Sequence, residues 1–357
     1  MKIAQVAPLY ESVPPKLYGG TERVVSYLTE ELVKQGHDVT LFGSGDSVTR
    51  ASLVPICDKA LRLDRARVID PLAHHFRMLE MVFRRAHEFD VIHFHIDYLH
   101  FPITRRQPVI ALTTLHGRLD IPELGPLFQL FRDTNLVSIS NAQRQPLPFV
   151  NWVGTVYHGL PIEQYRFQSK PGSYLAFLGR ISPEKRVDRA IQIAKQAGME
   201  LKIAAKVDSV DSDYFETKIK PLLKGPLIEY IGEIGEGEKN EFLGSASALL
   251  FPIDWPEPFG LVMIEAMACG TPTIAYRNGS VPEVLEDKKT GFIVNSLQDA
   301  VRAVDRISLL SRHTCRTIFE QRFSASRMAG DYLRIYRALL SEEMDAAQKL
   351  ETLQSAA

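Results

Sequence analysis

Cysteine is scarce: Cys57, Cys269 and Cys315 are the only three in 357 residues. They are too few and too scattered for a disulfide framework or a cysteine-rich zinc site, and a reducing, cytoplasmic setting is the expectation. Long apolar runs are missing as well. No stretch reaches the roughly 18 apolar residues of a membrane span, and Met1-Lys2 leads directly into a strand-like IAQVA with no secretory h-region. Neither charge sign is in excess, since 42 Lys and Arg face 43 Asp and Glu for a net charge of −1. That balance argues against wholesale binding of nucleic acid, which needs a basic stripe. There is no G-x-S-x-G elbow, phosphate-binding P-loop, dinucleotide fingerprint, cysteine-nucleophile context, solenoid-length repeat or low-complexity segment.

What is present is ample core material, with 45% hydrophobic residues and a length that favours two domains. The first half alternates KIAQVA, an amphipathic stretch at 21–35, DVTLFG, another at 72–88, then VIHFHI, PVIALTTL, LVSIS and GTVYH. The second repeats the rhythm with YLAFLGR, a helix expected at 183–197 closed by Gly198, LKIAAKV, IEYIGEI, a helix at 236–247, ALLFPI, a helix at 260–269, PTIAY and GFIVN. Strand, helix, strand predicts an α/β fold of two doubly wound, Rossmann-like domains. Residues 157–174 carry Gly, Pro and polar residues without a period, so they read as the linker. The expected domains are 1–167 and 168–324, with a helix from 325 to 357 packing back toward the first and fraying at ETLQSAA.

Ligands of such sheets bind at the carboxyl ends of the strands. In PEPFGLVMIEAMACGTP (256–272), Glu265 interrupts an apolar helix and must find donors in the fold or in a ligand, while Glu257 stands at its front edge. The helix start at Gly260 offers free N–H groups to an anion, although an acidic residue there also steadies the helix dipole. In GRISPEKRVDRA, Ser182 can cap and Pro183 fits the first turn. Arg180 and Lys185 then oppose the dipole, a poor place for stability and a good one for holding an anion. Arg186 and Arg189 fit surface pairing with Glu184 or Asp188.

LYGGTERVV opens a helix at Thr21 or Glu22 behind Gly19 and Gly20, which would let backbone approach a phosphate or sugar. His116, in TTLHGRLD, lies just past a buried strand, where it can donate to a ligand or stabilise charge. His93, His95 and His100 suit structural roles and lack a zinc-ligand spacing. The DSD at 211–213 reads as turn and cap residues. Phe76, Leu79, Phe83 and Ala86 form a stripe expected to face the core. With Arg77, Arg84 and Arg85 beside it, the same helix also suits peripheral contact with an anionic membrane.

Glu257 and Glu265 eight residues apart, with Gly179-Arg180, Lys185 and the early GGTE, resemble the retaining glycosyltransferases of family GT4, which have the GT-B fold. The likeness is specific over about 174–295 and looser but collinear before that. It implies two domains facing each other across a cleft, with a nucleotide sugar held mainly by the second. Arg180 and Lys185 would neutralise the diphosphate leaving group in place of a metal. The backbone at Phe259, Gly260 and Leu261 would add donors. Glu257 matches the glutamate near the sugar hydroxyls and Glu265 the one that binds ribose. Gly19 and Gly20 would close on the diphosphate, and His116 matches the histidine that contacts the sugar near the reacting carbon. No cofactor is implied.

This chain has Lys185-Arg186 where the family commonly has Lys-Gly, and NGSVPEV where it commonly has two glycines before PEV. Asn278, Gly279 and Glu283 are thus candidates for a donor loop. YESVPPKLY and RLDIPELGPLFQLF are candidate acceptor walls. The implied activity is transfer of a hexose from a UDP- or GDP-sugar to a hydroxyl acceptor. The alternatives are a non-catalytic nucleotide-sugar binder or an epimerase of similar fold. Fold analogy does not supply the sugar, the acceptor or the oligomeric state.

Overall fold

A computed structural model describes the chain apart from residues 17, 18, 65–67, 356 and 357, with backbone alone at 346, 347 and 349–355. The chain divides into two compact units. Unit 1 is Met1–Ile139, Arg144–Gly159 and Ala325–Ala357, and unit 2 is Leu160–Ser324 with Ser140–Gln143. The division falls after Gly159 rather than at 168 because the intervening residues are bonded into unit 2: Leu160 N–H donates to Phe323 O at 2.8 Å and Gln168 N–H to Cys269 O at 3.0 Å.

Unit 1 is built on a parallel sheet of β1 (Lys2–Val6), β2 (Asp38–Gly43), β3 (Ser52–Pro55), β4 (Val91–Phe94), β5 (Ala111–Thr114), β6 (Leu136–Ser138) and β7 (Trp152–Thr155), in the order β3-β2-β1-β4-β5-β6-β7. The central strands are buried, β1 from Ile3 onward and β4 and β5 throughout, as a sheet covered on both faces requires. β3 escapes the sequence pattern because it is a short, half-exposed edge. Helix α1 (Gly20–Lys34) follows β1, and α2 (Pro71–Arg84) starts where the Asp70 side chain accepts from the N–H groups of Leu72 and Ala73. The buried face of α2 is His75, Met78, Leu79 and Val82, so Phe76, expected inside, is 58% exposed. The closing helix runs from Ala325 to Ser355, through much of ETLQSAA, whose last two residues lie outside those described. Among the described residues no helix is long and apolar enough to cross a membrane.

Unit 2 is a parallel sheet of β8 (Tyr174–Arg180), β9 (Glu200–Lys206), β10 (Ile228–Gly232), β11 (Ala246–Phe251), β12 (Thr273–Tyr276) and β13 (Gly291–Val294), ordered β10-β9-β8-β11-β12-β13. Its helices include α3 (Val187–Ala197), α4 (Glu236–Gly244) and α5 (Leu261–Ala268). The predicted helix 183–197 is broken. Pro183–Lys185 is a 3-10 turn, Arg186 is left-handed at φ 54°, and α3 begins only at Val187, so Ser182 caps no α-helix. The DSD segment belongs to a run of short helical turns from Ser209 to Leu223. Helices at Leu297–Asp305 and Arg312–Arg322 complete the unit. In each sheet the strand order reverses once, between β1 and β4 and between β8 and β11, which is where α/β sheets take ligands.

Beside its apolar core, unit 1 buries a polar cluster. His93 Nδ1 lies 2.7 Å from the Tyr336 hydroxyl and its Nε2 2.7 Å from Thr114 Oγ1, which in turn meets the Tyr332 hydroxyl at 2.9 Å. His95 spans Gln5 Oε1 at 2.8 Å and His116 Nε2 at 2.9 Å, and His100 spans Thr104 and Thr113. Burial holds His93, His95 and His158 below the ordinary imidazole value of 6.5 and brings His100 and His116 down to about 3. As the pH falls below 6.5 the unfolded chain gains protons that the native rings refuse, so stability is complete above that value and is lost below it. Each histidine contributes about 1.4 kcal/mol per pH unit. Unit 1 is therefore expected to unfold in acid before unit 2. The two tryptophans report separately: Trp152 emission in Trp255→Phe should change at higher pH than Trp255 emission in Trp152→Phe.

Candidate functional site

The strands β8 and β11 bring two loops together in unit 2. Arg180 ends β8, and the turn Pro183–Lys185 is tied to the exit of β11 because Asp254 N–H donates to Glu184 O at 2.9 Å. That tie lets Lys185 reach Glu257, 72 positions on, in an ion pair whose side chains are 19% and 11% exposed. Trp255 Nε1–H donates to the same carboxylate oxygen, Oε2, at 3.0 Å, and the ammonium sits 4.9 Å from the centre of the Trp255 ring. Oε1 of Glu257 takes no hydrogen bond from the described residues. An ammonium has three donors, so Lys185 keeps others for a second anion.

Glu265 is anchored in the same manner by different residues. Its Oε1 accepts from Lys239 Nζ at 2.8 Å and from the Tyr165 hydroxyl at 3.2 Å, while Oε2 takes no bond from the described residues. Glu236 joins through Lys239 at 3.1 Å and, at 2.9 Å, shares with Glu265 the single hydrogen of the Tyr165 hydroxyl. The buried carboxylate thus finds donors within the fold and still offers an oxygen to a ligand. Trp255, Tyr165 and Lys239 were not singled out in the sequence. Trp255 at least stands two residues before Glu257, whereas Tyr165 and Lys239 carry no motif and meet Glu265 only through the fold.

Gly260 precedes α5 with φ 82°, and a Cβ there would lie 3.0 Å from the Phe251 ring. The first local backbone bond, Met263 N–H to Gly260 O at 3.0 Å, leaves the N–H groups of Leu261 and Val262 ahead of it. Gly279 lies against the backbone of Glu257 with φ 53°, where a Cβ would come within 2.3 Å of the Glu257 carbonyl oxygen. Ser280 N–H donates to that same carbonyl at 3.0 Å, and Ser280 Oγ–H donates to Phe259 O at 2.8 Å. Asn278 Nδ2 donates to Ile253 O at 2.9 Å. This loop therefore supports Glu257 from behind.

Two candidates have protein partners that the sequence does not show. The Glu283 carboxylate caps the short turn Asn141–Arg144, accepting from the N–H groups of Asn141 and Ala142, each at 2.7 Å. Arg180 lies among acidic side chains, 2.6 Å from Glu184 and 3.7 Å from both Asp208 and Asp211, and the dipole argument does not apply to it or to Lys185 because α3 starts beyond both.

Gly19, Gly20 and His116 belong to unit 1. Gly19 packs on Pro15 and Gly20 opens α1, while Leu17 and Tyr18 of the same loop lie outside the described residues. His116 follows β5, half-buried, with its ring stacked on His158 at 5.4 Å. Held neutral by burial, it cannot stabilise negative charge as a cation; what it retains is hydrogen bonding.

Residues 162–322 match the family described as glycosyl transferases group 1, and residues 18–181 match glycosyltransferase family 4. An uncharacterized 41.2 kDa protein in the cps region of Klebsiella pneumoniae is 29% identical over 174 residues, 46% of either chain. The chain spans about half the length of the curated relatives it matches first. Among solved structures, a glycosyltransferase involved in avilamycin A biosynthesis superposes with a TM-score of 0.75 at 23% identity, covering 96% of this chain and 98% of that one. Anabaena HepE, solved with UDP and glucose, gives 0.70 at 17% identity, covering 95% and 100%. At these identities the structures establish the GT-B fold.

Two substitutions test the local architecture. Gly279→Ala should cost about 2 kcal/mol or more, read as a lower urea midpoint, because a Cβ meets backbone at a positive φ. Arg186→Gly and Arg186→Ala both lose the pairs with Asp188 at 2.8 Å and Asp254 at 2.7 Å, but only alanine keeps a Cβ at φ 54°. Arg186→Gly should therefore be the more stable of the two by about 1 kcal/mol in the same titration.

Proposed function

The chain belongs to the glycosyltransferases of family 4, and from that premise we propose that it is an enzyme that moves a hexose from a UDP-sugar to a hydroxyl acceptor with retention at the anomeric carbon. The observation that carries this reading is the cluster at the start of α5. Glu257 has one oxygen anchored by Lys185 and Trp255 and the other left for hydroxyl groups, beside a helix start with N–H groups in hand. HepE, with UDP and glucose bound, supports the choice of UDP over GDP.

In this reading Lys185, the N–H groups at Leu261 and Val262, and Arg180 stabilise the diphosphate as the C1–oxygen bond to phosphate breaks and charge grows on the leaving oxygen. That oxygen accepts the proton of the acceptor hydroxyl as the new C1–oxygen bond forms on the same face. Glu257 Oε1 and Glu265 Oε2 take hydrogen bonds from sugar and ribose hydroxyls.

The test is release of nucleoside diphosphate from a panel of UDP-, GDP- and ADP-sugars, with glycan and lipid extracts as acceptors. One UDP-sugar should be turned over in the presence of one extract. Glu257→Gln should lower kcat/KM by about a hundredfold, the scale of two or more lost hydrogen bonds to a charged group. Donor binding by calorimetry without release from any extract would replace this reading with that of a nucleotide-sugar binder.

A further inference from the structure

We propose that Gln5 and His95 are positioning residues that hold His116 as its Nε2–H tautomer, so that its Nδ1 lone pair accepts a hydrogen bond from a hydroxyl group of the sugar substrate. This inference rests on the function proposed above for its ligand, but not for its tautomer.

The direction of the chain follows from what each atom can do. A carbonyl oxygen only accepts, so His95 must present an N–H on Nε2 to meet Gln5 Oε1 at 2.8 Å. A neutral imidazole has a single N–H, so His95 Nδ1 is an acceptor, and the 2.9 Å contact with His116 is a bond donated by His116 Nε2. His116 Nδ1 is then a lone pair. It is buried and has no hydrogen-bond partner among the described residues.

The other end of the chain fixes the Gln5 amide. Gln5 Nε2 donates to the Tyr336 hydroxyl at 3.3 Å, that hydroxyl donates to His93 Nδ1 at 2.7 Å, and His93 Nε2–H donates to Thr114 Oγ1 at 2.7 Å. Reversing every hydrogen would leave His116 with a buried N–H and nothing to receive it, a costlier state than an unpaired lone pair. Burial keeps both rings neutral, so no proton is present to blur the assignment.

The chemical consequence is selectivity. A ring nitrogen with a lone pair takes a hydrogen bond from a hydroxyl and repels a phosphate oxygen. His116 is thereby matched to a sugar hydroxyl, not to the diphosphate. Gln5 and His95 act only through it.

The experiment uses the full chain with labelled histidine. Long-range nitrogen–proton correlation should show His116 protonated on Nε2 and bare on Nδ1. Gln5→Glu puts a carboxylate beside His95 Nε2, which favours the doubly protonated His95 and makes its Nδ1 a donor. His116 must then accept on Nε2 and move its hydrogen to Nδ1. The ratio of Kd values for free nucleotide and nucleotide sugar should fall about tenfold in this variant, with free-nucleotide affinity unchanged. Gln5→Leu, which removes the carbonyl without adding charge, should give mixed tautomers and a smaller fall.

His116 protonated on Nδ1 in the unaltered protein overturns the proposal, as does a variant whose tautomer reverses while the binding ratio stays put. Both readouts need no turnover. Failure of the transfer reading would show separately, as binding without nucleoside diphosphate release.

Discussion

A carboxylate removed from water must be met by charge or by donors, and unit 2 answers that constraint twice in the same form. Glu257 is met by Lys185 and an indole N–H, and Glu265 by Lys239 and a phenol hydroxyl, in each case on one oxygen. The loops after β8, β11 and β12 are arranged around the first of these pairs. The 3-10 turn ahead of α3 delivers the lysine, the Trp255–Pro256 bend delivers the carboxylate, and Gly279 closes on its backbone. Removing one partner of a pair this far out of water leaves an uncompensated charge and is strongly destabilising, although the intact pair gains little over an apolar replacement.

Unit 1 holds a buried carboxylate in the same way where Arg62 donates to Glu11 at 2.8 Å, and beside that pair it buries a neutral polar network. Its carboxyl-end interior is lined by neutral imidazoles, hydroxyls and one amide, each satisfying the next, from Thr114 through His93, Tyr336 and Gln5 to His95 and His116. Two of the partners, Tyr332 and Tyr336, come from the closing helix, which explains why that helix belongs to unit 1 although it follows unit 2 in the sequence.

Arg186 and Phe76 show where pattern reading stops. At Arg186 the backbone turns left-handed at φ 54°, a conformation that favours glycine, and no propensity argument anticipates an arginine there. Its bonds to Asp188 and Asp254 hold it, and Asp254 arrives from a different loop. Phe76 fits the 3.6-residue stripe of α2 as well as Met78 does, but the face that packs runs through His75, Met78, Leu79 and Val82. Periodicity identifies an amphipathic helix and leaves its rotation to the neighbours.

The sequence by itself determined the alternation of strand and helix in both units, the buried strands, the helix that carries Glu265, and the motif residues Arg180, Lys185 and Glu257. These are properties of local propensity and spacing, which a chain carries before it folds. Only the tertiary structure decided that Lys185 faces Glu257, that Lys239 and Tyr165 anchor Glu265, that Glu283 caps a distant turn, and that a line of hydrogen bonds runs from Gln5 to His116. Each of those contacts joins residues 21 or more positions apart, and hydrogen-bond direction and desolvation exist only once the partners have been brought together and water has been removed.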